Sequence, residues 1–93
     1  MTTEHTNNSE KGFFRASDNG TQAGRITYVW AGTNKIIIDH TEVNPAYNGK
    51  GIGKQLVLAA ADFARTHQLK VIPLCPFAKA FFSKNPGFED ILS

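Results

Sequence analysis

Three glycines alternate at Gly49, Gly51 and Gly53, and they separate a segment typical of a strand from one typical of a helix. The upstream segment, Lys35–Val43, is rich in β-branched residues, which favour strands. Downstream, apolar residues recur at helical spacing: Ile52, Leu56, Ala59, Ala60, Phe63 and Ala64. Glycine disfavours a helix unless the main chain needs unusual dihedrals or a close approach to another group. The spacing therefore predicts a strand, a functional glycine loop and a helix, in that order.

The start of this predicted helix is suited to an anion. The first N–H groups of a helix lack partners within it, and the helix dipole places partial positive charge there. Lys50 and Lys54 add charge. A Walker loop would need Ser or Thr where Gln55 follows Lys54, and the glycine spacing differs from the Gly-x-Gly-x-x-Gly of dinucleotide sites. We therefore predict a phosphate-bearing ligand at Asn48–Lys54.

The other segments predict a small α/β (α+β) domain. Three antiparallel strands are expected in a meander: Phe13–Ala16, Thr21–Trp30 and Lys35–Val43. The helix should end near His67, and Leu69–Cys75 is typical of a buried strand. A right-handed crossover would make that strand parallel to the third. Ala78–Lys84 predicts a short C-terminal helix.

Length and composition bound the class of protein. A chain of 93 residues forms one core, and 41% hydrophobic residues are typical of a globular domain. Residues 1–10 are polar and are expected to form a mobile tail before a domain at residues 11–93. The N-terminus has no signal-peptide pattern, and the single Cys75 fits a reducing compartment. We expect a cytoplasmic, monomeric protein without a membrane partner.

A net charge of +2 is weak for a nucleic-acid binder of this size, so no nucleic-acid partner is expected. A binder of nucleic acid or of acidic proteins would have to use four lysines, and only their charge supports it: Lys50, Lys54, Lys79 and Lys84.

The glycine loop resembles that of the GNAT superfamily of acyl-CoA N-acyltransferases, which reads Gln/Arg-x-x-Gly-x-Gly/Ala. The segment Asn48–Gly53 matches it, with Asn48 replacing the usual Gln or Arg. A second GNAT signature, Ala-x-x-Phe-Tyr-x-Lys-x-Gly-Phe, is similar to Ala78–Phe88, which has one extra residue before its final Gly-Phe. His40–Val43 and Pro73–Phe77 look like those of short, single-domain "N-acetyltransferase domain-containing" members.

This resemblance implies binding of acetyl-CoA and CoA, and acetyl transfer to a protein lysine or a small amine. The amides of Gly49–Lys54 would hold the CoA pyrophosphate, and the main chain of Val43 the pantetheine arm. Pro73 cannot donate to a ladder, so the sheet should splay there and admit that arm. The positions expected to bind the coenzyme are Val43, Asn48, Gly49, Lys50, Gly51, Ile52, Gly53, Lys54, Phe77 and Lys84.

The resemblance also implies catalytic roles for Cys75 and His40. Cys75 would be a nucleophile or an orienting group at the thioester, and His40 a base, with Glu42 in reserve. A buried structural cysteine and a structural strand histidine are the alternatives. The pair requires that His40 and Cys75 face one another across the splay. Strand alternation would group these side chains on one face: Ile36, Ile38, His40 and Glu42.

Phe82 departs from the family pattern. Many GNAT members have Tyr there, whose phenol protonates the departing CoA thiolate, and phenylalanine has no such proton. We expect Phe81 and Phe82 to pack beneath the coenzyme. The departure supports an alternative function, a CoA-binding module with little or no catalysis.

Overall fold

A computed structural model covering residues 1–93 contains one five-stranded sheet and two α-helices. The strands follow chain order across the sheet: β1 (Thr2–Asn7), β2 (Lys11–Asp18), β3 (Thr21–Trp30), β4 (Lys35–Val43) and β5 (Lys70–Pro73). The helices are α1 (Ile52–Thr66) and α2 (Pro76–Lys84), and a 3-10 turn, Pro45–Tyr47, precedes the glycine loop. β1 to β4 are antiparallel, and β5 is parallel to β4. The expected α+β fold with a crossover helix is confirmed. Neither helix has both the length and the apolar character that crossing a bilayer requires.

The N-terminal segment forms a strand, so the expectation of a mobile tail over residues 1–10 is wrong. Thr2–Asn7 pairs along β2, although all six of its residues are exposed. His5 anchors it, because its ring stacks on Phe14 at 4.0 Å between centroids and its Nε2 lies 2.6 Å from the Tyr28 hydroxyl. The ladder also satisfies main-chain groups that would otherwise need water. The meander therefore has four strands instead of three.

One face of the sheet packs against α1. A single core holds the buried side chains of this face and of both helices, among them Phe14, Ile26, Tyr28, Ile36, Ile38, Leu56, Val57 and Val71. Gly24 of β3 lies under the start of α1, where an added Cβ would come within 2.8 Å of the Ile52 side chain. The first turn of α1 is thereby seated directly on the sheet. The helix ends at Thr66 with His67 as its C-cap, as expected.

A β-bulge interrupts β4. Tyr28 of β3 is paired with Ile38, but its neighbour Thr27 is paired with His40. Asp39 is therefore an extra residue without a partner on β3. Because side chains alternate with a period of two, one extra residue exchanges the faces of everything that follows it.

The bulge overturns the expected grouping of side chains along β4. Thr41 lies opposite the buried Ile26, so Thr41 belongs to the face that α1 covers. His40 and Glu42 lie on the other side of the sheet, which we call the open face. Their expected grouping with Ile38 is wrong, since the alternation predicted from the sequence assumed an uninterrupted strand.

β4 pairs with β5 along only half of its length. Lys35–Ile38 is in register with Lys70–Pro73, and we call this segment of β4 the paired half. Asp39–Val43 has no partner on β5, and we call it the open half; His40–Val43 pairs with β3, and Asp39 is the unpaired bulge residue. The expected splay at Pro73 is thus confirmed, at the residue that lacks an N–H for the ladder.

Candidate functional site

The glycine loop leaves a series of main-chain N–H groups without acceptors. The preceding turn is satisfied, since Asn48 N–H donates to the Pro45 carbonyl at 3.2 Å. The first paired N–H of α1 is that of Gln55, which donates to the Gly51 carbonyl at 3.0 Å. No side chain caps the helix. The N–H groups that donate to no protein atom are those of Gly49, Gly51, Ile52, Gly53 and Lys54.

The three glycines of the loop are required for different structural reasons. Gly49 and Gly51 adopt φ values of 80° and 74°, with open space where a Cβ would stand. These positions need glycine for their backbone dihedrals. At Gly53 the reason is packing, because an added Cβ would stand 2.5 Å from Cζ of the Phe77 ring. The third glycine thus lets α2 approach the first turn of α1.

A groove of about 220 Å³ lies beside these N–H groups. It is lined by Val43, Tyr47, Asn48, Gly49, Gly51, Ile52, Gly53, Lys54 and Phe77. All but Tyr47 belong to the set expected from the sequence. Two expected residues lie outside the lining: the Lys50 ammonium stands over the Tyr47 ring at 5.9 Å from its centroid, and Lys84 is exposed in the last turn of α2.

Tyr47 connects the loop to the hairpin between β2 and β3. Its hydroxyl donates to Oδ2 of Asp18, the last residue of β2, at 3.0 Å. The hydrogen bond to this carboxylate raises the pKa of Tyr47, because losing the proton would place two negative charges together. The sequence contained no signal for this contact, which joins residues 29 positions apart.

The open half of β4 directs main-chain groups into the splay. Asn44 N–H donates to the Ala23 carbonyl at 2.8 Å, so residue 44 is directed towards β3. Successive residues of a strand direct their main-chain groups to opposite sides. The N–H and C=O of Val43 therefore point away from β3, into the gap that β5 leaves.

Cys75 is buried, with 5% of its surface exposed, and it is the N-cap of α2. Its Sγ accepts a hydrogen bond from Ala78 N–H at 3.3 Å and lies 3.2 Å from Oγ1 of Thr41. Its own N–H, together with that of Leu74, donates to the Ile38 carbonyl, at 3.1 and 3.0 Å. Both the thiol and the main chain of Cys75 are thus fixed at the point where β4 and β5 separate.

His40 does not face Cys75. Its side chain is 64% exposed on the open face, and its Nε2 stands 3.8 Å from Oε2 of Glu42. The side chain that meets the cysteine is Thr41, which the bulge turns to the α1 side. Because nothing in the sequence marks the bulge, alternation alone could not have identified Thr41.

Phe81 and Phe82 pack in the core. Both are at least nine-tenths buried, their ring centroids are 5.3 Å apart, and Phe88 stands 5.4 Å from Phe82. These rings form the base of α2 against the core.

The sequence has relatives over most of its length. A family model described as GCN5-related N-acetyl-transferase matches residues 13–91. Protein NATD1 of Bos taurus is 36% identical over 61 residues, which are 66% of this chain and 54% of that protein. Protein NATD1 of Homo sapiens has the same identity over the same length. The chain thus spans about half the length of these relatives.

Solved structures agree with the family model. The solution structure of a GCN5-like protein from Staphylococcus aureus superposes with a TM-score of 0.71 at 33% identity, covering 97% of this chain and 87% of that one. The crystal structure of PaiA N-acetyltransferase from Thermoplasma acidophilum in complex with coenzyme A gives a TM-score of 0.66, covering 82% of this chain and 50% of that one. Its identity is 23%, so that likeness concerns the fold alone. The glycine loop, the splayed sheet and the match over residues 13–91 establish that the chain belongs to the GCN5-related N-acetyltransferase family.

Proposed function

We propose that this protein binds acetyl-CoA and transfers its acetyl group to an amine. The observation that carries the proposal is the set of unpaired N–H groups at the start of α1, those of Gly49, Gly51, Ile52, Gly53 and Lys54. Such groups, together with the helix dipole, favour a phosphate-bearing ligand. Membership of the family supports acetyl-CoA as that ligand, and the fold neighbour PaiA is solved with coenzyme A.

The pantetheine arm would extend from this loop into the splay between β4 and β5. The outward-directed N–H and C=O of Val43 are the natural partners for its amides. Phe77, 44% exposed at the edge of the groove, offers the arm an apolar contact. The thioester would then lie near Cys75, where the strands meet. Lys50 and Lys84 would add charge near the phosphates from outside the groove.

The chemical step needs one base and a path for one proton. His40 on the open face would take a proton from the ammonium of the acceptor. The free amine would attack the thioester carbonyl carbon, forming the C–N bond, and collapse of the intermediate would break the C–S bond. The CoA thiolate would leave and take up a proton. Phe82 has no proton to give, so water or the Cys75 thiol would supply it.

The positions of His40 and Cys75 favour direct transfer over an acetyl-cysteine intermediate. A nucleophilic thiol needs an adjacent base, and the side chain next to Cys75 is the hydroxyl of Thr41. We therefore assign Cys75 an orienting role. Mass spectrometry of the intact protein during turnover should find no acetyl adduct. An adduct that is lost in Cys75→Ala and is consumed when the amine is added would establish the covalent route instead.

The coenzyme site is tested by titrating labelled protein with acetyl-CoA and with CoA while recording amide chemical shifts. We expect the largest changes in residues 43–54, and smaller ones at the start of α2. Arg65→Gln removes one positive charge from an exposed pair with Asp90 far from the loop, so this control variant should bind the coenzyme as the unaltered protein does. Absence of shifts in the loop at millimolar coenzyme would reject the proposal.

A catalytically weak coenzyme-binding module remains the second candidate. Phe82 lacks the phenol that many family members have there, and His40 lies on the opposite face of β4 from the Cys75 thiol. It predicts normal coenzyme shifts with no acetyl transfer to any amine, and identical behaviour of His40→Gln and the unaltered protein. A fall in turnover of at least 10-fold in His40→Gln would exclude it.

A further inference from the structure

A second cavity, of about 240 Å³, lies on the open face of the sheet. It is smaller than the roughly 300–1,000 Å³ of pockets that take drug-sized ligands, so its occupant would be a small molecule. The catalytic scheme proposed above does not use it, except that it reaches β4 beside His40. The residues that give it chemical character are Asn7, Lys11, Phe13, Arg25, Thr27 and Asp39.

Arg25 supplies an unpaired cation in this cavity. Its guanidinium lies over the Phe13 ring, with Cζ 4.8 Å from the centroid. Its Nε, like that of Arg15, is shielded from solvent without a hydrogen-bond partner, and no carboxylate forms an ion pair with Arg25. Arg15, also on the open face, is by contrast paired with Glu4 at 2.8 Å. A planar guanidinium held on a ring, with no carboxylate of the protein paired to it, is preorganised for a carboxylate.

Asp39 supplies an unpaired anion in the same cavity. Its Oδ1 accepts a hydrogen bond from the Thr27 hydroxyl at 2.6 Å, and no cation lies within ion-pair distance. Asp39 is the bulge residue, so it stands immediately before His40 at the beginning of the open half of β4. A carboxylate at this position would hold an ammonium next to the proposed base.

The register of the sheet sets these groups in a line. Phe13, beneath the guanidinium, is opposite Thr27, and Thr27 is opposite His40. The cation therefore lies over β2, the hydroxyl on β3 and the carboxylate at β4. Lys11 is a second cation at the β2 end. Although the two charges share one cavity, they do not pair with each other, so a ligand with one charge of each sign would pair with both.

From this arrangement we infer that the open-face cavity binds the acetyl acceptor, and that the acceptor is a free amino acid. Its carboxylate lies on Arg25, and its ammonium lies on Asp39 beside the splay. The inference rests on the proposed acetyl transfer for its chemistry, but the binding site itself does not. An amine without a carboxylate leaves Arg25 unmatched, which makes the carboxylate the main source of selectivity.

The first test is a titration of the labelled protein, without coenzyme, with the twenty standard amino acids and with the methyl esters of those that bind. We expect amide shifts at residues 11–13, 25–27 and 39, and at least 10-fold weaker binding of each ester, since the ester lacks the anion. Equal affinity for acid and ester, or shifts elsewhere only, would overturn the inference.

The second test compares two arginines of one face. Arg25→Gln should raise the KM for the amino acid about 10- to 100-fold while kcat and the KM for acetyl-CoA stay within about twofold. Arg15→Gln is the matched control and should leave all three constants unchanged. Asp39→Asn should also raise the KM for the amino acid. Equal effects of the two arginine variants would overturn the assignment.

The two proposals fail separately. Loop shifts with acetyl-CoA and turnover of simple amines, without any preference for amino acids, would reject only the acceptor class. Amino-acid binding in the open-face cavity with no coenzyme binding would reject the transferase and keep the site.

Discussion

The two halves of β4 differ in what they do with their main chain. In the paired half, Lys35–Ile38 bonds to strands on both sides, and Ile36 and Ile38 are completely buried beneath α1. In the open half, Asp39–Val43, the residues after the bulge bond to β3 alone. The same strand thus contributes a rigid core segment and, one residue later, a segment with unmet hydrogen-bonding groups.

This contrast indicates which part of so small a domain can bind a ligand. Unpaired main-chain groups cost free energy unless water or a ligand meets them. Here such groups lie in the open half and in the glycine loop, and both adjoin the proposed coenzyme site. Stability should therefore depend on the paired half, and ligand binding on the open half.

The largest effect should come from the paired half. Ile38→Ala removes a side chain with no exposed surface, so it should lower the free energy of unfolding by about 2–5 kcal/mol, measured by urea titration. Val43→Ala is the matched truncation in the half-buried open half and should cost about 1 kcal/mol. Equal losses of unfolding free energy in the two variants would contradict the claim that stability depends on the paired half.

Two glycines of the loop should separate packing from binding. Gly53→Ala forces the Phe77 ring to move and should cost about 1–3 kcal/mol of stability. Gly51→Ala meets no neighbour but strains a φ of 74°, at about 1–2 kcal/mol, and distorts the line of free N–H groups. Coenzyme affinity, measured by calorimetry, should fall at least 10-fold in Gly51→Ala. Unchanged affinity there would contradict the role of the loop.

A smaller effect is expected at the junction of the two halves. Thr41→Val removes the hydroxyl beside Cys75, so the free energy of unfolding should fall by about 0.5–1.5 kcal/mol. Alkylation of Cys75 by iodoacetamide should become faster, since Sγ loses one of its two partners. Thr33→Val, in the exposed turn before β4, is the control for both measurements. An unchanged alkylation rate in Thr41→Val would show that the hydroxyl does not restrain the thiol.

The smallest effect concerns β1, the strand farthest from β5 in the sheet. Burial, and then the neighbouring charge of His67, hold the pKa of His5 below its ordinary value of 6.5. The unfolded chain therefore binds a proton first as the pH falls. The contribution of His5 to stability is present above about pH 6.5 and is lost as the pH falls through the lower, folded pKa.

We expect amide exchange in β1 to accelerate on acidification while acetyl-CoA binding at the loop is unaffected. His5→Gln should remove most of this pH dependence, and His67→Gln should remove less of it. Parallel changes in β1 and in coenzyme binding would mean that the far edge of the sheet and the open half are coupled.

The parts of the fold that could be predicted are those that depend on local pattern. The glycine loop, α1, β5 and the splay follow from glycine dihedrals, helical spacing and the missing N–H of Pro73. β1 could not be predicted, because six exposed polar residues carry no pattern and His5 acts through contacts with Phe14 and Tyr28. The faces of the open half were mispredicted, since a bulge without glycine leaves no trace in the sequence.

The open-face cavity was also invisible at that level. Its cation and its hydroxyl lie on β3 and its carboxylate on the bulge of β4, and only the register of the sheet brings Phe13, Thr27 and Asp39 together. Such a site depends on how the strands pair, which the amino-acid composition does not show.

The carbonyl of Ile38 accepts two hydrogen bonds at the very base of the splay, from Leu74 and Cys75. A molecule inserted between the strands can reach this carbonyl oxygen, but it cannot pass farther without breaking the two hydrogen bonds that the oxygen accepts. The distance from the glycine loop to that oxygen therefore limits the length of chain that can lie between the strands. Lengthening or shortening the loop would move the reactive end of any inserted chain relative to Cys75, so the length of the acyl group accepted should be adjustable there.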